Sequence, residues 1–247
     1  MKRVKEPRAI ILAAGYGTRL GELGKSTPKC LLTAGSKTML EHTALALKSA
    51  GVNSIIINLH HLAQQVREFV ESRNGFGMQI EFSFEPQILG TGGGVKQARD
   101  FLDKAPYFFI HNADIYSDFD LKSLAQYHLR SKALATLATL PQVSDRPLMF
   151  DERGELIGWG GSDGKLSQTK NSSSSILRMF SGVQVVSPEI FEFMEEELAP
   201  FSTITTYLKC VAAGARVIEF CMHDNYWIDV GTQPKLLELT EYIEKSR

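Results

Sequence analysis

Residues 11–31 read ILAAGYGTRLGELGKSTPKCL. The run from Arg8 to Ala13 is short, Ile-rich and closed by glycines, the pattern of a strand buried on both faces of a parallel sheet. Beyond it the chain becomes a loop of glycines, hydroxyls and cations. Gly15 and Gly17 let backbone N–H groups approach an anion, because no Cβ intervenes. Arg19 offers a bidentate fork to phosphate oxygens and Lys29 a point charge, with Pro28 stiffening the chain before it. Two familiar loops are excluded. A dinucleotide fingerprint needs a third glycine where Leu20 stands, and an acid closing the second strand, which "IIINLHH" lacks. A Walker loop ending in Gly24-Lys25-Ser26 would need glycine where Arg19 stands.

Outward from this loop, strands and helices alternate. "MLEHTALALKSA" is amphipathic and stops at Gly51; "NSIIINL" is a second buried strand; "AQQVREFVESR" is helical and "MQIEFSF" a strand. "TGGG" is a turn before a helix at Val95, then come the strand "YFFIHNADI", a helix capped by Asp120 and the strand "ALATLATL". Past residue 141, "FDERGELIGWGG" predicts a hairpin around Gly154, and "GGSDGKLSQTKNSSSS" a polar loop. "FSGVQVVS" and "ARVIEFCM" predict two more strands, with helices near 188–197 and 203–213, and a last helix starts near Thr232. The alternation predicts a single-domain, Rossmann-like α/β fold with a mixed, mostly parallel sheet and helices on both faces. One domain spans 1–247, its core at about 8–140 and later insertions at about 141–247.

The 247 residues are 43% hydrophobic with a net charge of −1, which argues against a basic nucleic-acid reader. Cys30, Cys210 and Cys221 lack metal-type spacing, and neither a leader after "MKRVKEPRA" nor an apolar run of membrane length is apparent. These features predict a cytoplasmic protein without nucleic-acid or membrane partners, monomeric or a small homo-oligomer.

The ordered set "LAAGYGTRL…STPKCLL", "MLEHTALALKSAGV", "TGGG", "HNADIYSDFD", "FSGVQVVSP" and "YWIDVGTQPKL" resembles the sugar-1-phosphate nucleotidyltransferases across nearly the whole chain. Length, "TGGG" and "INLHHLAQQV" look most like the N-acetylmuramate-1-phosphate uridylyltransferase branch. The resemblance implies the nucleotide-diphospho-sugar transferase fold and condensation of an NTP with a sugar 1-phosphate, giving an NDP-sugar and pyrophosphate. It assigns catalysis to Arg19, Lys29, Asp114 and Asp229, the two aspartates also holding Mg²⁺. Ala13, Ala14, Gly15, Gly17 and Thr18 would flank the nucleotide from one side and Glu85, Thr91 and Gly92 from the other. Asn112, Asn171 and Asp229 would meet the sugar. From the residues alone, Asp114 ends a buried strand, and a carboxylate there suits Mg²⁺ beside phosphate. Asp118 and Asp120 compete for that role, and His111 reads as a core histidine.

The family's Glu-Lys-Pro motif is missing; "GGSDGK" stands in its place, leaving Lys165 or Lys170 to meet the sugar phosphate. UTP is the expected nucleotide. The alternative is CTP or GTP with phosphocholine or a heptose or mannose 1-phosphate, with Trp159, Phe180 and Trp227 available to cage a choline cation. A regulatory subunit without chemistry would have lost the lysine or the aspartates.

Overall fold

The computed structural model describes residues 6–161 and 165–246. Most of the N-terminal segment read for a leader, and residues 162–164 of the polar loop, lie outside that range. The first unit is β1 (Arg8–Leu12), α1 (Met39–Ser49), β2 (Ser54–Leu59), α2 (Ala63–Ser72) and β3 (Gln79–Phe84). Then come α3 (Gly90–Gln97), β4 (Phe108–Asn112), α4 (Leu121–Ser131) and β5 (Ala135–Leu140). The remainder supplies β6 (Leu148–Phe150), β7 (Leu156–Gly160), β8 (Ile176–Val186), α5 (Thr203–Ala212), β9 (Val217–Cys221) and α6 (Gln233–Lys245).

The main sheet runs β3-β2-β1-β4-β8-β5-β9. β1, β2, β3 and β4 are mutually parallel, β8 is antiparallel to both neighbours, and β9 is parallel to β5. This is the mixed, mostly parallel sheet the alternation predicts. Successive residues of β1 point to opposite faces: Ala9 and Ile11 enter the layer under α1, α2 and α4, and Ile10 enters the layer under α3 and α5. A strand with apolar partners on both sides cannot be amphipathic, which is why it reads as an unbroken run.

Two features of this sheet place the site. Strand order reverses between β1 and β4, and ligands of open α/β sheets gather at the carboxyl ends of strands at such a switch point. In addition, β8 pairs with β4 only through Val183–Val186, so its first half overhangs the end of β4. That overhang carries β6, which pairs with Ile176–Arg178, and then β7 and the short strand Leu166–Gln168. The hairpin expected around Gly154 is therefore an extra wall above the switch point. Gly182 makes the bend, with φ +82° and the Asn112 amide 2.8 Å from where a Cβ would stand.

One expectation needs correcting. The helix expected at Val95 starts at Gly90, and Gly92, Gly93 and Gly94 lie within its first turns. Their role is close packing: a Cβ on Gly92 would stand 2.3 Å from the Phe201 ring, and on Gly93 2.8 Å from the Ala199 carbonyl.

His111 and His128 are both buried, and burial pushes each imidazole down to about 4. The folded state therefore refuses a proton that the unfolded chain accepts near its ordinary value of about 6.5. Stability from these two groups is complete above pH 6.5 and is lost as pH falls toward 4. Histidine ring signals followed by NMR should leave His111 and His128 neutral at pH 5; titration of either near pH 6.5 would contradict their burial.

Candidate active site

The loop after β1 is built as a series of tight turns. Gly17 sits at φ +64° ahead of the single turn Thr18–Leu20. A short helix, Glu22–Ser26, comes next, and a second single turn, Lys29–Leu31, begins after Pro28. Gly24 packs onto the Gly17 carbonyl, 2.4 Å from where a Cβ would stand, so this glycine of the tempting Gly24-Lys25-Ser26 supports the loop.

These turns deliver Lys29 to the end of β4. Its ammonium donates to Asp114 Oδ2 and lies 3.4 Å from Asp229 Oδ1. Asp114 follows β4 after one intervening residue, Ala113. Asp229 ends a three-residue strand, Trp227–Asp229, that pairs with Ile115–Ser117. Arg19 Nη2 completes the chain of charges, 3.6 Å from Asp229 Oδ2. Its guanidinium lies against Gly231, with Cζ 2.8 Å from where a Cβ would stand. Four charged residues from three distant segments thus converge, although Arg19 remains 63% exposed.

Beside them opens a cleft of about 250 Å³, lined by Ala13, Ala14, Gly15, Lys29, Asn112 and Asp114 among others. Its far wall holds Glu85, Ile88, Gly90 and Thr91. Ala13, Ala14, Gly15, Thr91 and Asn112 therefore share the lining of one cleft. Gly17 and Thr18 shape the loop outside the cleft lining. Gly92 does not face the cleft: its N–H is held 2.9 Å from the Phe201 carbonyl.

Glu85 is also corrected. Its side chain is 0% exposed, with Oε1 accepting from Asn58 Nδ2 at 2.6 Å and Oε2 from the Leu89 N–H at 2.8 Å. A carboxylate so committed braces the far wall of the cleft. The residue missed was Asn58, whose Oδ1 accepts from the Ala13 N–H at 2.7 Å. Its signal was present: one amide in the apolar run "IIINL", where a buried polar group needs partners.

Other expectations fare differently. Asp118 accepts from the Tyr226 N–H, Asn225 and Tyr242, so it anchors α6 and does not compete for metal. Asp120 caps α4 through the Lys122 and Ser123 N–H groups, as expected. Lys170 is 2.9 Å from Glu155, which also receives Arg216, and it stands outside the cleft lining. Lys165 is exposed on the outer hairpin, and Asn171 is exposed and outside the cleft lining. The three aromatics form no cage, because Trp227 packs on the core of one sheet face and Trp159 and Phe180 on the other. Cys30 lines the cleft, but burial pushes its thiol up to about 12, leaving it protonated and unreactive.

Residues 8–150 match the model of the Nucleotidyl transferase family. The chain belongs to that family. It is 29% identical over 233 residues to a mannose-1-phosphate guanyltransferase of Yarrowia lipolytica, covering 92% of this chain and 61% of that protein. It is 28% identical to a mannose-1-phosphate guanylyltransferase catalytic subunit beta of Dictyostelium discoideum, covering 92% and 62%. The chain thus spans about three-fifths of the length of these curated relatives. In fold it is similar to HddC from Yersinia pseudotuberculosis complexed with GMP-PN, with TM-score 0.75, 22% identity and 96% and 99% of the two chains covered. A Bacillus anthracis protein in complex with a sucrose gives TM-score 0.78 at 19% identity over 95% and 94%. No helix among the described residues is long and apolar enough to cross a membrane.

Asn58→Leu removes one buried and one part-buried hydrogen bond and leaves the Glu85 carboxylate short of a donor, a loss of about 1–3 kcal/mol or more. Urea unfolding should show a clearly lower midpoint, and a midpoint equal to that of the parent would refute the brace.

Proposed function

We propose that this protein transfers a nucleotidyl group from GTP to a hexose or heptose 1-phosphate of the mannose type, releasing pyrophosphate. The observation that carries the reading is the Lys29 ammonium set between Asp114 and Asp229, beside a cleft at the switch point of the sheet. Uridine is the base to which the sequence resemblance leads. Guanosine replaces it here because the curated relatives that cover 92% of this chain carry guanyltransferase names.

The chemistry asked of the protein is modest. An oxygen of the acceptor phosphate attacks the α-phosphorus in line, the bond from that phosphorus to the bridging oxygen breaks, and pyrophosphate leaves with the electron pair. The second pKa of a phosphate monoester is about 6, so near neutral pH the nucleophile is already largely dianionic and needs no general base. The obstacle is bringing two anions together, which is a matter of positioning and charge neutralisation. Lys29 supplies positive charge at the α-phosphate region, and Arg19 reaches the outer phosphates from the loop rim. Asn112, at the end of β4 and in the cleft lining, orients the acceptor in this reading.

Asp114 and Asp229 fit a divalent cation. Both already share one cationic group, and Mg²⁺ takes one or two carboxylates with phosphate oxygens and water completing its shell. When bound, Mg²⁺ would neutralise charge developing on the phosphates. The intact charge set also supports an enzyme over a regulatory subunit.

Pyrophosphate release should be screened with four NTPs against mannose, glucose, heptose and N-acetylmuramate 1-phosphates and phosphocholine, with and without Mg²⁺. GTP with a mannose-type acceptor should give the highest kcat/KM, and chelation should abolish turnover. Lys29→Ala or Asp114→Ala should lower kcat roughly 10²–10³-fold in protein whose circular dichroism is unchanged. Faster turnover with UTP would overturn the base, and near-parental activity in either variant would overturn the site.

A further inference from the structure

Asn58, near the carboxyl end of β2, and His60, just past that end, both turn toward Glu85, and β2 is flanked by β1 and β3. Each reaches both neighbours. Asn58 accepts from the Ala13 N–H and donates to Glu85 Oε1. His60 Nδ1 is 2.7 Å from the Glu85 carbonyl, and Nε2 is 3.0 Å from the Tyr16 hydroxyl. A carbonyl only accepts, so Nδ1 carries the proton, and Nε2 pairs with the Tyr16 hydroxyl. The Tyr16 ring also meets His60 edge-on at 5.1 Å.

The same two walls of the nucleotide cleft are therefore tied twice through one strand. The inner tie, at Asn58, is buried; the outer tie ends on Tyr16, which is 53% exposed between Gly15 and Gly17. Tyr16 sits next to a lining residue of the first wall, and Glu85 belongs to the second.

We infer that Tyr16 and His60 are positioning residues: they form an outer strap that sets the width of the cleft mouth and so the affinity for the nucleotide, whichever base it carries. The inner tie holds the floor at fixed width. The strap, formed by an exposed phenol on a glycine-flanked turn, is the part that opens to admit the nucleotide and closes over it. Neither Tyr16 nor His60 lines the cleft, so the strap acts on binding and leaves the chemical step alone. This inference rests on the nucleotide-binding reading of the cleft above, though not on the choice of base.

The test is calorimetric titration of Mg²⁺-GTP into the full chain without acceptor, paired with steady-state kinetics. His60→Phe keeps the ring and loses both hydrogen bonds; Tyr16→Phe loses one. Each should raise Kd and KM for GTP roughly 3–10-fold, the span expected for one net hydrogen bond, with kcat within about twofold. The double variant should be no worse than His60→Phe alone. His60→Gln, which donates and accepts at once, should recover most of the affinity. Unchanged KM in His60→Phe, a fall in kcat at constant KM, or fully additive losses would each overturn the strap. A parent chain that binds UTP and not GTP refutes the base alone, and the variants are then scored with UTP. A parent that binds neither nucleotide overturns the strap together with the reading beneath it.

Discussion

The ammonium of Lys29 between two carboxylates is the interaction on which the rest of this site depends. Asp114 and Asp229 are 115 positions apart in the chain, and like charges held close favour protonation of one partner unless a cation intervenes. Lys29 provides that cation, with its side chain mostly buried. The sheet does the rest. β4 delivers Asp114 at the switch point, the small ribbon of Ile115–Ser117 and Trp227–Asp229 delivers Asp229, and the glycine loop after β1 delivers Lys29. A charge cluster drawn from three segments can form only in the completed fold, so it links stability of the whole sheet to competence of the site.

Close approach is the second constraint. Gly94 lies under the buried Asn58–Glu85 pair, where a Cβ would be 2.6 Å from the Asn58 amide. Gly92 admits the Phe201 ring, Gly182 the Asn112 amide, and Gly231 the Arg19 guanidinium. At each, the missing side chain makes room for a polar or aromatic group that lines or supports the cleft. The α6 helix adds a distant buttress: Tyr226 and Tyr242 stack at 3.7 Å, and Tyr242 hydrogen-bonds Asp118, which also holds the Tyr226 backbone. The segment carrying Asp229 is fixed from behind by these contacts.

Much of this was legible in the sequence, for identifiable reasons. Unbroken apolar runs announce strands buried on both faces, and Asp120 and Gly51 mark helix ends because caps and stops are local chemistry. The convergence of Lys29, Asp114 and Asp229 was legible through family resemblance, since spacing in sequence says nothing about which strand ends meet. The failures were equally physical. "TGGG" reads as a turn because glycine breaks isolated helices, yet here tertiary packing against Phe201 and Ala199 outweighs that local preference. Glu85 reads as a nucleotide contact because it leads the stretch taken as the second wall, and its two donors became visible only in three dimensions. Lys170 was captured by Glu155, a partner made available by the hairpin overhang. Asn58 carried a local signal, an amide in an apolar strand, but its partners lay in two other segments.

The central claim is that Asp114 and Asp229 serve a cation site that Lys29 satisfies until nucleotide arrives. Mn²⁺ binding followed by electron paramagnetic resonance, with and without GTP, tests it most directly. The account predicts weak Mn²⁺ binding to the protein alone, binding at least tenfold tighter with GTP present, and loss of that gain in Asp114→Asn and Asp229→Asn. Tight Mn²⁺ binding without nucleotide, or a nucleotide-dependent gain that survives both substitutions, would contradict it.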